Sequence, residues 1–204
     1  MNIFKRFRKT SPSQDKTNAI NNNIINENDN LNSSDIELMF KYGKSSNIVG
    51  GFESVSFMEL PYAMIKRDIV YLLKENSINE VLELIFKPQF KSFNINKVKE
   101  AEKISFIIWI NEQLERIFKI EEQFLQSEPE PELIASGIDR LNEFGINPLM
   151  EKIAKDWNKT PEEIEQYPYF KIYQKIKMDK VQSEINKRYQ KIIEEKKKAK
   201  WELE

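Results

Sequence analysis

The chain of 204 residues contains no cysteine and no histidine. The first absence removes disulfides, thiolate nucleophiles and cysteine metal ligands, and the second removes imidazole as a general base or metal ligand. Only five glycines occur, at 43, 50, 51, 137 and 145. They build neither a phosphate-cradling loop nor a dinucleotide fingerprint, because both need clustered glycines after a strand. No apolar run approaches the roughly 20 residues of a membrane-spanning helix, and no apolar core follows the basic start as it would in a signal peptide. The expected location is therefore the cytoplasm in which the chain is made; a membrane partner is not favoured, although the basic, Phe-containing start could dock on an anionic membrane face or in a partner's groove. Neither sign of charge dominates, with a formal net charge of −1 and a pI near 5.9. The long-range field that speeds non-specific DNA association is missing, and no nucleic-acid partner is expected.

What is present is a folded composition, with 40% apolar and 32% charged residues, which fits one core under a heavily solvated surface. The pattern along the chain predicts an all-α protein of short amphipathic helices. Residues 1–34 read as a flexible basic, asparagine-rich arm, residues 35–167 as a helical domain, and residues 168–204 as a long C-terminal helix. The arm opens with MNIFKRFRK, where Phe4 and Phe7 stand among basic residues, and continues through a tract too polar to offset its ordering entropy. SDIELMFKYG reads as a short helix, and the Gly50-Gly51 pair as a turn between the strand candidates NIV and SVSF.

Helix starts are predicted from caps. Ser56 with Glu59, Ser77 with Glu80 and Thr160 with Glu163 each have capping-box spacing, Pro61 and Pro161 suit a first turn, and Pro88 is expected to stop a helix at Phe86. A long helix is expected from about Asn96 to Gln126, with the all-apolar run Phe106 to Ile110 as its most buried turn. After SEPEPE the next helix should run to Phe144 and close at Gly145. Asn147-Pro148 starts another, Asn158 stops it, and Pro168 opens the last. That last helix carries Tyr173, Ile176, Val181, Ile185, Tyr189 and Ile192, read as one narrow seam that either docks along the body or projects toward a second helix.

The chemical candidates have simpler explanations. Tyr62 with Lys66 and Tyr173 with Lys177 have the Tyr-x-x-x-Lys spacing of some dehydrogenases, but no dinucleotide-binding pattern accompanies them. Glu112 with Glu115 and Glu162 with Glu163 lie in polar sequence, where nothing raises a carboxyl pKa for proton transfer. Glu128, Glu130 and Glu132 lack the loop glycine and ligand spacing of a calcium site. No catalytic residue, cofactor or metal is expected. The tail EEKKKAKWELE, with Trp201, reads as a frayed helix end.

The succession from residue 144 to 190 is more particular. A helix closed by Gly145, a short helix from Asn147-Pro148 to Trp157, a Thr160-Pro161-Glu162-Glu163-Ile164 restart, the aromatic Tyr167 and a long charged helix follow one another. This order resembles the C-terminal part of tail assembly chaperones of tailed bacteriophages. The resemblance implies a non-enzymatic protein of the host cytoplasm that binds the tape-measure protein through grooves between short helices, with oligomers allowed. The basic arm and the long terminal helix depart from that pattern and suit equally a structural protein of the virion neck, tail or capsid. No residue carries over as a known functional position. On physical grounds the contact candidates are Trp157, Tyr167, Phe170 and Tyr173, the seam residues Val181, Ile185, Tyr189 and Ile192, and Phe4 and Phe7 in the arm.

Overall fold

The structure, a computed structural model, describes residues 43–125 and 131–201. Phe4, Phe7 and the expected helix after Ser34 lie outside the described residues. The fold is all-α apart from one small hairpin. Strands β1 (Ile48–Val49) and β2 (Phe52–Glu53) pair antiparallel across Gly50 and Gly51, whose φ angles of 56° and 82° put both turn residues in the left-handed region that favours glycine. The second strand is Phe52–Glu53 and not the SVSF stretch, because a turn of only two residues forces pairing to begin at once.

Among the described residues seven helices follow. α1 spans residues 64–74 and is π-helical over Met64–Asp68 before becoming α-helical over Ile69–Lys74. Then come α2 (Ile78–Gln89), α3 (Glu100–Leu125), α4 (Pro131–Ala135), α5 (Asn147–Trp157), α6 (Pro161–Glu165) and α7 (Tyr169–Trp201). A 3-10 turn at Phe57–Glu59 precedes α1, another at Ile95–Lys97 joins α2 to α3, and a longer 3-10 segment, Ile138–Phe144, joins α4 to α5. The core gathers inward faces of nearly all of these: Phe57 and Leu60, Tyr62 and Ile65, Ile85 and Phe86, Phe106 and Ile110, Met150 and Ile153, Ile164, then Tyr169 and Ile172. The root of α7 thus belongs to the same core as the helices before it.

Several helix ends differ from expectation. The two early capping boxes do not form: neither the Ser56 nor the Ser77 side chain caps its helix. Ser77 has ψ of 64°, away from the extended conformation that aims a capping oxygen down the helix, and Ser56 precedes only three residues of 3-10 helix. Pro88 lies inside α2, which continues past Phe86 to Gln89. Proline's missing donor costs least in a last turn, and Gln89 secures that turn by donating to the Ile85 carbonyl at 2.8 Å while accepting from the Val55 N–H at 2.9 Å. α3 begins at Glu100 rather than Asn96, since the separate 3-10 turn Ile95–Lys97 intervenes. Its FIIWI run buries Phe106, Ile107 and Ile110 fully, and leaves Ile108 and Trp109 partly exposed. The helix expected to reach Phe144 breaks at Gly137 (φ 80°) into α4 and a 3-10 segment.

The corner between α5 and α7 follows the sequence closely. Asn158 takes a left-handed conformation (φ 52°, ψ 50°) and lets the Lys159 N–H return to the Ala154 carbonyl at 2.9 Å. Thr160 then caps α6: the Glu163 N–H donates to its hydroxyl at 3.3 Å, and the Glu163 carboxylate accepts from the Thr160 N–H at 2.9 Å.

Candidate functional site

Two places stand out: the root of α7, where a charge is buried, and the distal part of α7, where apolar side chains are exposed. At the root, Pro61 and Pro168 face each other across an isolated antiparallel bridge. The first N–H groups of a helix lack partners within it. Here each helix start supplies the other's: the Tyr62 N–H donates to the Tyr167 carbonyl and the Tyr169 N–H to the Leu60 carbonyl, both at 2.9 Å. The compact turns from Asn158 to Pro168 bring those groups opposite each other. Tyr62 and Tyr169 then stack with ring centroids 5.6 Å apart and planes 8° from parallel.

Beneath these rings lies Glu121, 4% exposed, in an α3 register that otherwise buries Ile117 and Leu125. Its carboxylate accepts from the Lys66 ammonium at 2.9 and 2.7 Å and from the Tyr169 hydroxyl at 2.7 Å. A buried carboxylate needs this degree of pairing, because removal from water costs several kcal/mol. Burial, and secondarily the Glu121 charge, push the Tyr62 and Tyr169 hydroxyls above the ordinary tyrosine range, so both stay protonated. The π-helical turns of α1 carry Lys66 into this network and Ile65 into the core beside it. All acceptor oxygens of Glu121 are occupied by the protein, so the cluster ties α1, α3 and α7 together.

The predicted contact aromatics divide accordingly. Trp157 and Tyr167 are half-buried and pack on each other, centroids 5.3 Å apart. Tyr173 stacks on Tyr169 at 6.1 Å and Phe170 is half-buried at the same level. These four line the α5–α7 corner. Val181, Ile185, Tyr189 and Ile192 stand apart from them, at 47%, 53%, 60% and 49% exposure, joined by Met178 at 70%.

The sequence suggests one seam from Tyr173 to Ile192, but the structure separates two faces. Each residue turns a helix by about 100°, so Ile172, Tyr173 and Ile176 fall within roughly 60° of Tyr169, on the face toward the core. Met178, Val181, Ile185, Tyr189 and Ile192 lie between about 120° and 200° from it, on the face turned away. The described residues of the body therefore do not cover them. The continuation of the core-facing side is polar: with Lys152 and Asp156 of α5, the α7 residues Asp179, Ser183, Lys187 and Gln190 line an open cleft of about 600 Å³. Lys175 bridges Asp156 and Asp179 at 2.6 Å each, and Lys152 reaches Asp179 at 3.0 Å. Burial works against their charges, yet these bonds raise the Lys175 pKa and lower that of Asp179.

No protein-family model, curated protein or solved structure matches this chain.

The site is thus described by its own geometry. Among the described residues no helix is long and apolar enough to cross a membrane, and no group of three or more acidic side chains is placed to hold a metal ion. Two features escape a reading of the sequence. Glu121 is one, although its place four residues after Ile117 and four before Leu125 signals burial. Met178 is the other; stepping by 100° per residue, rather than by threes and fours, joins it to the outward stripe.

Proposed function

We propose that the protein acts by binding and not by chemistry, as a morphogenesis protein of a tailed bacteriophage: a tail assembly chaperone that holds helical segments of the tape-measure protein until the tail tube forms around them. The observation that carries a binding role is the outward stripe of α7, five exposed apolar residues over about 21 Å of helix, rooted in a rigid core and turned away from it. An amphipathic client helix would lay its own apolar face along such a stripe. The assignment to phage tails rests on the resemblance of residues 144–190. On this view the protein works in the host cytoplasm, without cofactor or metal, and its partners are other phage proteins.

Coexpression with a fragment of a tape-measure protein from the same genome tests the proposal. The fragment should stay soluble with the wild type and precipitate with Val181→Asp/Ile185→Asp. An insoluble fragment in both cases overturns the chaperone role. The projecting helix also favours a second role, as a structural component of the virion neck, tail or capsid, because an element reaching outside a domain gains its partners from neighbours. Mass spectrometry of purified particles separates the two: stoichiometric copies in the particle exclude a chaperone that leaves before completion.

A further inference from the structure

We propose that a second copy of this chain covers the outward stripe of α7, pairing with it as an antiparallel helix; the inference rests on the role of α7 as a binding helix. The stripe is self-complementary. In an antiparallel pair about a two-fold axis, one register brings Val181 and the partner's Ile192, and Ile185 and the partner's Tyr189, each to within about half a residue of the same level, so four apolar layers form from one pattern. That register also decides which charges meet. Lys177, Glu184, Arg188 and Glu195 run along one edge of the stripe, at about 60° to 100° from Tyr169. Like edges face each other in antiparallel helices. Glu184 therefore comes beside the partner's Arg188, and Lys177 beside the partner's Glu195, each pair occurring twice by symmetry. Within the chain Glu184 makes a loose 3.7 Å contact to Lys180. Lys177 is held at the edge by the Phe124 ring, 4.1 Å from its centroid.

A parallel pair loses both advantages. It would set the charged edge against the opposite one, which carries the neutral Gln182 and Asn186, and would place Lys196, Lys197 and Lys198 of both copies side by side. It would also align the two helix dipoles, which oppose in the antiparallel arrangement. Because the stripe faces away from each body, the two bodies stand on opposite sides of the pair and at opposite ends, and do not collide. Five side chains per copy make a small interface, near the lower limit of about 1,000 Å² for specific association. The pair should accordingly form and dissociate in the micromolar range, so that a client helix exchanges with the second copy on the same stripe.

Sedimentation of the full chain across that range should show a monomer–dimer equilibrium. Ile185→Asp should remain monomeric with unchanged helical circular dichroism. Arg188→Glu should weaken dimerisation by about tenfold, since two ion pairs become two repulsions, and Glu184→Arg combined with Arg188→Glu should restore it. Orientation is read by oxidation, because the chain has no cysteine of its own. A mixture of Val181→Cys and Ile192→Cys should give the mixed disulfide, while Val181→Cys alone should give none, its two sulfurs lying about 16 Å apart along the axis. A chain that stays monomeric at every concentration, an unrestored charge swap, or a Val181→Cys homodimer overturns the pairing. A monomer that still keeps the tape-measure fragment soluble would overturn the pairing alone, and a dimer that does not would overturn the chaperone role alone.

Discussion

Glu121 shows how one side chain can fix the meeting of three helices. Its carboxylate is held by Lys66 and Tyr169, with side-chain exposures of 12% for Lys66 and 5% for Glu121. Removing one partner of such a pair leaves the other charge in the interior without compensation. Lys66→Met is therefore expected to destabilise the fold by about 3–5 kcal/mol, read as a lower midpoint in urea with an unchanged slope. A loss under about 1 kcal/mol would show that water reaches Glu121 in solution. The same cluster sets an alkaline limit. Folding raises the pKa of Tyr62 and Tyr169 from the ordinary value of 10.0, chiefly by burial. Their contribution is then full below pH about 10 and is lost above it, as the unfolded chain releases protons that the folded chain retains. Stability should fall as pH rises beyond about 10, and Tyr169→Phe should flatten that fall in urea titrations between about pH 9 and 11.

At the scale of elements, three serine or threonine caps of identical spacing behave differently, which separates a motif from its geometry. Thr160 has the extended conformation (φ −87°, ψ 154°) and makes both bonds of the box, whereas Ser77 has ψ of 64° and makes neither. Thr160→Ala should cost about 1 kcal/mol, and Ser77→Ala less than about 0.5 kcal/mol. Thermal unfolding of the two variants side by side checks this; equal losses would contradict the assigned conformations. α6 is only five residues long, and its cap matters because the turn that follows presents Tyr167 and Tyr169 to the start of α1.

For the molecule as a whole, α7 divides along its length into a buried root and an exposed distal part. Its root carries Tyr169 and Ile172, both fully buried, and ties into the core, while every residue from Val181 to Lys198 is exposed except the half-buried Ile193. Deleting residues 184–204 should therefore shift the melting temperature by less than about 3 °C and leave the remaining helical signal intact. A collapse of the fold on that deletion would mean that the distal helix is packed in solution.

How much of this the sequence determined by itself follows from the range of the forces involved. Helix periodicity, the Gly50-Gly51 turn, the Asn158 stop and the Thr160 cap are decided by groups within a few residues of one another, and they are legible without a structure. The failed caps at Ser56 and Ser77, and the continuation of α2 through Pro88, depended on what the rest of the chain placed beside those ends. Glu121 reads as one more charged residue of a long helix until Lys66, 55 positions earlier, and Tyr169, 48 later, close around it. The apolar residues of α7 were legible as a set, but only the direction in which the core holds Tyr169 and Ile172 decided that the distal ones face away. Local propensity fixes which residues share a helical face; long-range packing fixes which face is left for a partner.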